Sequence, residues 1–255
     1  MVAGRARVMQ LTDSRKVMVT YQGVPRWSQW AATIWENNPR IAKPDHVGDF
    51  QFLEARDKVT NMRPYHLAKT ATRWKYNPDF RPDIGELYLS EAERSFGAQH
   101  AGRVIVEPHI KPGASPNKQW GWDRWTALAS RLRAAGVRVT QLGGPGTRLL
   151  DGAQLVETAN FRLACAVLAR ARACVLPEGG THHAAAALGI PGVVIFGGYI
   201  GVETTGYAVH RNLGVSVADA CGMRTPCKHC ATAMEAITPG VVADALLEVM
   251  EGVPA

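Results

Sequence analysis

Short apolar runs and helical stretches alternate along residues 101–255, and no other feature of the sequence constrains the fold as strongly. The apolar runs are rich in valine and end in glycine or proline; they occupy residues 103–108, 137–144, 174–180 and 192–198. Helical stretches lie between them, at residues 120–136, 160–171 and 181–189. Because strands that alternate with helices form parallel sheets covered on both faces, this order predicts a doubly wound α/β domain.

The helical stretches have the apolar spacing of helices that pack against a sheet. Trp122, Trp125, Leu128 and Leu132 recur every three or four positions and therefore lie on one helical face. The alanine-rich stretch begins with Thr181, which we predict to be its N-cap. A last helix at residues 240–250 is predicted to pack back onto the domain.

The first hundred residues have shorter apolar runs and a less regular pattern. Strands are predicted at residues 7–12, 16–21, 49–54 and 86–90, and a helix at residues 26–38. Residues 61–86 are rich in proline and asparagine and are predicted to form an irregular loop. We therefore predict two α/β domains, residues 1–100 and residues 101–255, with the boundary in the glycine-flanked segment 97–102.

Composition and charge exclude several classes of protein. With 46% hydrophobic and 20% charged residues, the chain has the composition of a globular protein and not of a disordered one. No apolar run is long enough to cross a membrane, and the N-terminal residues lack the apolar stretch of a secretory signal, so we expect a cytoplasmic protein. The net charge of +7 permits an anionic partner.

The basic residues are nevertheless spread along the chain. Residues 1–100 contain 15 basic and 11 acidic side chains, and residues 101–255 contain 14 and 11, so the two parts carry +4 and +3. This distribution favours a solvated basic surface over a dedicated groove for a polyanion.

Polar loops follow several predicted strands, at the edge where open α/β sheets bind their ligands. The loop after residues 103–108 contains Ser115 and Lys118 directly before a helix, an arrangement that can offer N–H groups and an ammonium to a diphosphate. A solvated surface loop is the alternative. Gly143 and Gly144 begin a glycine loop that matches neither the Walker nor the dinucleotide fingerprint.

The strongest cluster is the turn between a buried strand and the alanine-rich helix. Glu178 ends the strand, Gly179 and Gly180 form the turn, and His182 and His183 occupy the first helical turn. The carboxylate can accept hydrogen bonds from ribose hydroxyls, while glycine N–H groups and imidazole can donate to phosphate oxygens. The alternative is that one histidine, His182 in particular, is a satisfied packing residue.

These segments resemble glycosyltransferase family 9, the heptosyltransferase-like family. The resemblance extends from about residue 103 to the end of the chain, and its most specific part is an acidic-x-Gly-x-x-His turn followed by an alanine-rich helix and Gly-x-Pro. This turn corresponds to Glu178, Gly180 and His183. The family usually has aspartate at the position of Glu178, so the carboxylate is retained with a longer reach.

The resemblance implies a GT-B fold, in which two Rossmann-like domains with parallel sheets face each other across a cleft. The C-terminal domain would hold a nucleoside-diphosphate sugar, and the shortened N-terminal domain would hold the acceptor. Lys118 would contact the donor diphosphate, and Glu178, Gly179, Gly180 and His183 would line its pocket. No metal or other cofactor is expected, because lysine and backbone N–H groups replace the cation.

The resemblance also implies a general base after the first N-terminal strand. Asp13 follows the strand predicted at residues 7–12 and is the candidate, although the Leu-Gly-Asp of the family is not reproduced. A turn aspartate is the alternative. Asp49 is the competing carboxylate, but it precedes a predicted strand. Residues 204–213 are predicted to form a loop that touches the donor sugar.

Five cysteines lie in the C-terminal half, too few for a disulfide framework in a chain of this length. Cys221, Cys227, His229 and Cys230 fall within ten residues, which permits a Cys3His zinc site. Free thiols and a redox-labile pair are the alternatives, and they are favoured because the spacing is not that of two Cys-x-x-Cys knuckles.

Three functions follow as hypotheses. The first is a metal-independent, inverting glycosyltransferase that transfers a hexose or heptose to a saccharide or lipopolysaccharide hydroxyl. The second keeps this chemistry but uses hydroxymethylated bases of DNA as acceptors, as phage enzymes do. The third is a nucleotide-sugar binding module without turnover.

Overall fold

A computed structural model describes residues 2–252 of the chain. Its N-terminal part is built around a small sheet, followed by a hairpin and a helix. The elements of this part are α1 (Val2–Thr12), β1 (Lys16–Tyr21), β2 (Val24–Pro25), α2 (Gln29–Trp35), β3 (Ile41–Ala42), β4 (Phe50–Glu54), β5 (His66–Lys69), β6 (Trp74–Tyr76) and α3 (Glu91–Ala98).

The rest of the chain forms a larger sheet with helices on both faces. Its elements are β7 (Val104–Val106), a 3-10 turn (Pro116–Lys118), α4 (Trp122–Ala134), β8 (Val139–Gly143), β9 (Gln154–Glu157), α5 (Phe161–Leu168), β10 (Ala173–Pro177), α6 (Gly180–Ala187), β11 (Gly192–Gly197), α7 (Val202–Thr205), β12 (His210–Gly214), α8 (Lys228–Ala236) and α9 (Pro239–Glu251).

The small sheet is centred on β1, which pairs in parallel with β3 and β4 and antiparallel with β2. Val17, Val19 and Leu53 are buried on one face of this sheet, where α1 contributes Ala6 to the same cluster. Residues 7–12, predicted as a strand, belong to α1. Ala6 and Met9 are three positions apart and both contact this cluster, which is the spacing of a helix and not of a strand.

All six strands of the large sheet are parallel, in the order β12-β11-β10-β7-β8-β9. Side chains alternate between its two faces: Val104 and Val106 pack with α4 and α9 on one face, and Ile105 packs with α5 and α6 on the other. Each central strand is therefore buried on both faces, which explains its continuous apolar sequence. The predicted doubly wound α/β architecture is confirmed.

Several local predictions are wrong. The segment predicted as a strand at residues 86–90 belongs to no strand or helix, and Leu87 and Leu89 pack beside α5 and α6. The segment predicted as a loop at residues 61–86 contains the β5–β6 hairpin. Strand β9 lies in a stretch for which no element was predicted. Helix α6 begins at Gly180 with Gly179 at its N-cap, so Thr181 is inside the helix.

The segment at residues 204–213 is not the predicted loop. Its first residues end α7, and residues from His210 onward form β12 at the edge of the large sheet. His210 is buried and bonds the carbonyl of Ile190 through Nε2 at 3.1 Å, so it does not face a ligand. Only Thr205 and Tyr207 of this segment reach the polar cluster described below.

The proposed boundary near residue 100 stays a prediction. Helix α3 precedes this boundary, and yet it packs against helix α5, which covers the larger sheet. Gly97 of α3 lies directly against the backbone of Ala166 in α5. Arg162 of α5 bonds both carboxylate oxygens of Glu93, at 2.6 and 2.7 Å, and the carbonyl of Thr33 in α2 at 3.0 Å. One guanidinium therefore joins α2, α3 and α5.

Among the described residues, no single helix has the length and apolar composition needed to cross a membrane. Helices α8 and α9 meet these criteria only when taken together, and they are bent by 54° relative to each other. Val242 and Leu246 of α9 are buried in the core against the sheet.

Substitution of Gly97 by alanine is expected to destabilise the protein by about 1–3 kcal/mol, because the new methyl group would overlap the Ala166 carbonyl group. The measurement is the free energy of unfolding in urea. Gly240→Ala in α9 is the matched control, since the nearest atom to its added methyl group lies 3.7 Å away. Equal stability of both variants would contradict the close approach of α3 and α5.

Substitution of Glu93 by glutamine is expected to reduce the decrease in unfolding free energy that the protein shows as the pH falls below 4.5. The hydrogen bond from Arg162 lowers the pKa of Glu93 from its ordinary value of 4.5 to about 2. Because the folded-state pKa is depressed, the pair stabilises the protein above pH 4.5 and this contribution is lost as the pH falls towards 2. Urea unfolding of both proteins over that interval should show a smaller decrease for the variant; parallel profiles would disprove the contribution.

Candidate functional site

The large sheet reverses its strand order between β7 and β10. The chain proceeds from β7 outward to β8 and β9 and then returns to place β10 on the other side of β7. The loop after β7 leads to α4 on one face, and the loop after β10 leads to α6 on the opposite face. The two loops therefore diverge and leave a crevice at the carboxyl ends of these strands, where open α/β sheets bind ligands.

Lys118 and Glu178 meet in this crevice. The ammonium of Lys118, at the end of the 3-10 turn, forms an ion pair with Glu178 at the end of β10. The second carboxylate oxygen of Glu178 accepts a hydrogen bond from the Thr205 hydroxyl at 3.2 Å. The side chains of Lys118 and Glu178 are 19% and 6% exposed, so the pair is shielded from water.

Both members of this pair are charged at neutral pH. Burial is the largest single effect and opposes the charge on each, but the attraction and hydrogen bond between them, together with smaller contributions from neighbours such as Thr205, outweigh it: the pKa of Glu178 lies below its ordinary value and that of Lys118 lies above. The structure therefore brings together two predicted site residues that are 60 positions apart in sequence.

His182 forms its hydrogen bonds with the protein's own backbone. It is fully buried; its Nδ1 accepts the N–H of Gly179 at 2.9 Å, and its Nε2 lies 2.9 Å from the Thr205 carbonyl, to which it donates. Both ring nitrogens are thus occupied, and the prediction that His182 contacts a donor is corrected. Its role is to hold the Gly179 turn and the Thr205 backbone in place.

His183 lies next to it and faces Tyr207. Its Nδ1 is 2.9 Å from the Tyr207 hydroxyl. Burial, and secondarily the neighbouring His182, lowers the pKa of His183 well below its ordinary value, so the ring is uncharged at neutral pH. Gly180 begins helix α6 beside it, and the N–H groups of this first turn point towards the crevice end of the sheet.

A second carboxylate at the crevice was missed by the sequence analysis. Glu107 follows β7, directly beside the end of β10, where its N–H donates to the Val175 carbonyl at 3.4 Å. Burial raises the pKa of Glu107, and the nearby Thr181 hydroxyl opposes this shift. The signal was its position at the end of a predicted strand, the same one that identified Glu178.

Three tyrosines form an aromatic wall beside Lys118, and the sequence analysis missed them. The Lys118 ammonium lies 5.4 Å from the ring centroid of Tyr199, and Tyr76 packs edge-on against Tyr199 at 6.2 Å. Tyr65 is buried in the same cluster, and its hydroxyl accepts a hydrogen bond from Arg63 at 2.6 Å. Tyr65 directly precedes β5, and Tyr76 ends β6, in the hairpin whose segment was predicted as a loop.

The remaining donor-site candidates lie near the crevice but have local structural roles. Ser115 caps the 3-10 turn that carries Lys118, accepting the N–H of Asn117 at 3.3 Å. Gly143 ends β8, and a methyl group there would collide with Thr147. Gly144 follows it in open space.

The two candidate bases do not lie where the sequence analysis expected. Asp13 follows a helix and precedes β1, so it is at the amino end of the strand, where it forms an exposed ion pair with Arg15. The prediction that it follows a strand is wrong. Asp49 precedes β4, also at the amino end. Glu54 occupies the carboxyl end of β4, and its oxygens accept N–H groups of the β1–β2 turn.

The structure brings three of the four clustered C-terminal side chains together. The thiol groups of Cys221, Cys227 and Cys230 lie within 4.8 Å of one another. The ring of His229 instead lies against the backbone of Gly198. The Cys3His set that the spacing permits, as the less favoured alternative to free thiols, is thus reduced to its three cysteines.

Comparison with known proteins identifies the family. The family model of glycosyltransferase family 9 (heptosyltransferase) matches residues 63–232. No curated protein sequence matches the chain.

Solved structures share the fold. A family 9 glycosyltransferase from Veillonella parvula is 12% identical with a TM-score of 0.65, covering 98% of this chain and 93% of that one. The iron-containing dodecameric glycosyltransferase TibC of enterotoxigenic Escherichia coli is 15% identical with a TM-score of 0.56, covering 93% and 76%.

ADP-heptose lipopolysaccharide heptosyltransferase II of E. coli is 20% identical with a TM-score of 0.50, covering 68% of this chain. The chain spans 55% of the length of that protein. These neighbours are GT-B glycosyltransferases, which confirms the predicted fold class. Since the family match also spans well over half of the sequence, this chain belongs to glycosyltransferase family 9, the heptosyltransferase family.

Proposed function

We propose that the protein is a glycosyltransferase that binds a nucleoside-diphosphate sugar in the crevice between β7 and β10. The observation that carries this proposal is the shielded Lys118–Glu178 pair at the point where the strand order reverses. It provides a cation for phosphate and a carboxylate for ribose hydroxyls within one pocket. The family assignment supports the same chemistry.

The donor diphosphate would lie between Lys118 and the first turn of α6. Free N–H groups at a helix N-terminus and the helix dipole favour an anion, and the nearby ammonium adds a full charge. His183 is uncharged at neutral pH, so Lys118 is the cation that the crevice offers at this position. Glu178 stays fixed by Thr205 while Lys118 turns towards phosphate.

We propose that sugar transfer is a single displacement. The acceptor oxygen attacks the anomeric carbon and forms the new glycosidic bond as the bond to the diphosphate breaks. The electron pair leaves with the diphosphate, whose developing charge Lys118 and the α6 N–H groups stabilise. These groups occupy the place that a divalent cation takes in other transferases, so we propose that the diphosphate needs no metal ion.

The acceptor proton requires a base, and we propose Glu54 in preference to Asp13. Glu54 lies at the carboxyl end of a parallel strand, whereas Asp13 lies at the amino end and is bound by Arg15. The chain continues from Glu54 to Arg63 and Tyr65, which reach the aromatic wall. We propose that a base at this edge faces the donor crevice.

Among the candidate substrates, we propose a heptose donor and a saccharide acceptor. TibC was solved in complex with ADP-D-beta-D-heptose, and it shares the fold over 94% of this chain. The DNA acceptor has no support from the comparisons, and the spread of basic residues also disfavours it. A cytoplasmic location stays a prediction.

One observation favours a second function, a binding module without turnover. Both oxygens of Glu54 already accept hydrogen bonds, from the N–H groups of Gln22 and Gly23 at 2.8 and 2.9 Å. These bonds lower the pKa of Glu54 although burial opposes them, which weakens it as a base. Measurement of turnover separates this function from the transferase.

Lys118→Ala is expected to weaken ADP binding about 10- to 100-fold, the loss of one charge-assisted bond to phosphate. Isothermal titration calorimetry with ADP measures the change. Lys16→Ala, at an exposed position at the start of β1, is the control and should bind like the wild type. Equal affinity of both variants would remove Lys118 from the donor site.

Glu54→Gln is expected to lower the release of ADP from ADP-heptose at least about tenfold in the presence of a saccharide acceptor, with ADP affinity unchanged. Asp13→Asn should retain wild-type turnover. Circular dichroism checks that the β1–β2 turn tolerates the first change. Turnover lost in Asp13→Asn instead would restore the original assignment, and the absence of turnover in the wild type with intact ADP binding would favour the binding module.

A further inference from the structure

Three cysteine thiols converge next to the donor crevice without belonging to it. The Sγ atom of Cys221 lies 3.6 Å from that of Cys227 and 3.1 Å from that of Cys230. Thiolates bound to one tetrahedral zinc ion at 2.3 Å are roughly 3.8 Å apart, so a small outward adjustment would admit an ion. The three sulfur atoms form a triangle, which is the arrangement of metal ligands and not of a simple disulfide pair.

Local structure explains why the thiols meet. Cys227 is the N-cap of α8 and Cys230 lies in its first turn, so the Cys-x-x-Cys spacing directs both sulfur atoms to one side of the helix. Cys221 approaches from the preceding loop, and its sulfur accepts the N–H of Met223 at 3.3 Å. An N–H donor to sulfur stabilises a thiolate ligand in the way outer-shell hydrogen bonds do at metal sites.

The loop that carries these thiols is held by a buried amide. Asn117 donates through Nδ2 to the carbonyls of Met223 and Thr225, both at 2.8 Å, and its Oδ1 accepts the N–H of Cys227 at 3.2 Å. Asn117 is 6% exposed. It precedes Lys118 in the 3-10 turn, so the cysteine loop and the donor lysine share one support.

The same loop also holds the β5–β6 hairpin. Trp74 donates its N–H to the carbonyl of Gly222 at 2.9 Å, and Arg224 donates to Thr72 at the same distance. Gly222 in turn donates to the carbonyl of Tyr199 at 3.0 Å. The segment between Cys221 and Cys227 thus connects the hairpin, the end of β11 and the 3-10 turn.

We propose that Cys221, Cys227 and Cys230 bind one thiophilic metal ion, zinc or iron, which cross-links this loop to helix α8. Three thiolates and one further ligand from solvent complete a tetrahedral shell; His229 is turned away against Gly198. Each thiol loses its proton on binding, so occupancy falls as the pH is lowered. The ion takes no part in binding the diphosphate. Its function is structural: it fixes the loop that supports both the hairpin and Lys118.

Metal analysis of the full-length protein tests this proposal. Protein purified under reducing conditions without added metal should contain about one equivalent of zinc or iron, and elemental analysis shows which. Cys227→Ser should contain well under half as much. Cys165→Ala is the matched control, because Cys165 is buried in the separate α5–α6 cluster, and it should keep the full content.

Two further measurements keep the test independent of variant folding and of glycosyl transfer. Replacement of the native ion by Co²⁺ in wild-type protein should produce the intense visible absorption of tetrahedral cobalt–thiolate centres. Removal of the ion by a chelator should accelerate hydrogen exchange of residues 70–76 and 221–227 while that of β10 stays slow. Metal-free protein that binds neither zinc nor cobalt under reducing conditions, or one with a Cys221–Cys230 disulfide, would overturn the proposal.

Discussion

The location of the candidate site depends on a constraint of parallel sheets. Adjacent parallel strands need crossover connections, and the sheet can reverse its order only where two successive crossovers pass to opposite faces. In this protein the reversal lies between β7 and β10. Glu107 and Glu178 end these two strands, and Lys118 arrives from the connection that follows β7. The crevice and its charged groups are thus consequences of strand order.

Burial determines which side chains in the crevice are charged. The neighbouring histidines lose their charge, whereas Lys118 and Glu178 keep theirs because each compensates the other. An entering diphosphate would take over part of that compensation. The tyrosine wall would limit access of water to the ammonium and strengthen its interaction with phosphate. The arrangement therefore favours an anion whose own hydroxyl groups can donate hydrogen bonds to Glu178.

The large sheet could be predicted from the sequence because its central strands are buried on both faces and carry uninterrupted apolar runs. Elements that are only partly buried could not be predicted in this way. Strand β12, at the sheet edge, has few buried residues, and the hairpin of Tyr65 and Tyr76 is stabilised by distant partners such as Tyr199. For the site, the turn from Glu178 to His183 was recognised, yet only the structure distinguished His182, which is bound internally, from His183.

Arg162 affects how the two sheets can move. Its guanidinium binds Glu93 and the Tyr88 carbonyl near the predicted boundary, and it also reaches the Thr33 carbonyl beside the small sheet. Thr33, Tyr88 and Glu93 all precede residues 97–102 and Arg162 follows them, so a hinge rotation there would break all of these contacts and leave a shielded cation without its acceptors. Swinging one sheet away from the other to open the crevice would therefore cost these charge-assisted hydrogen bonds.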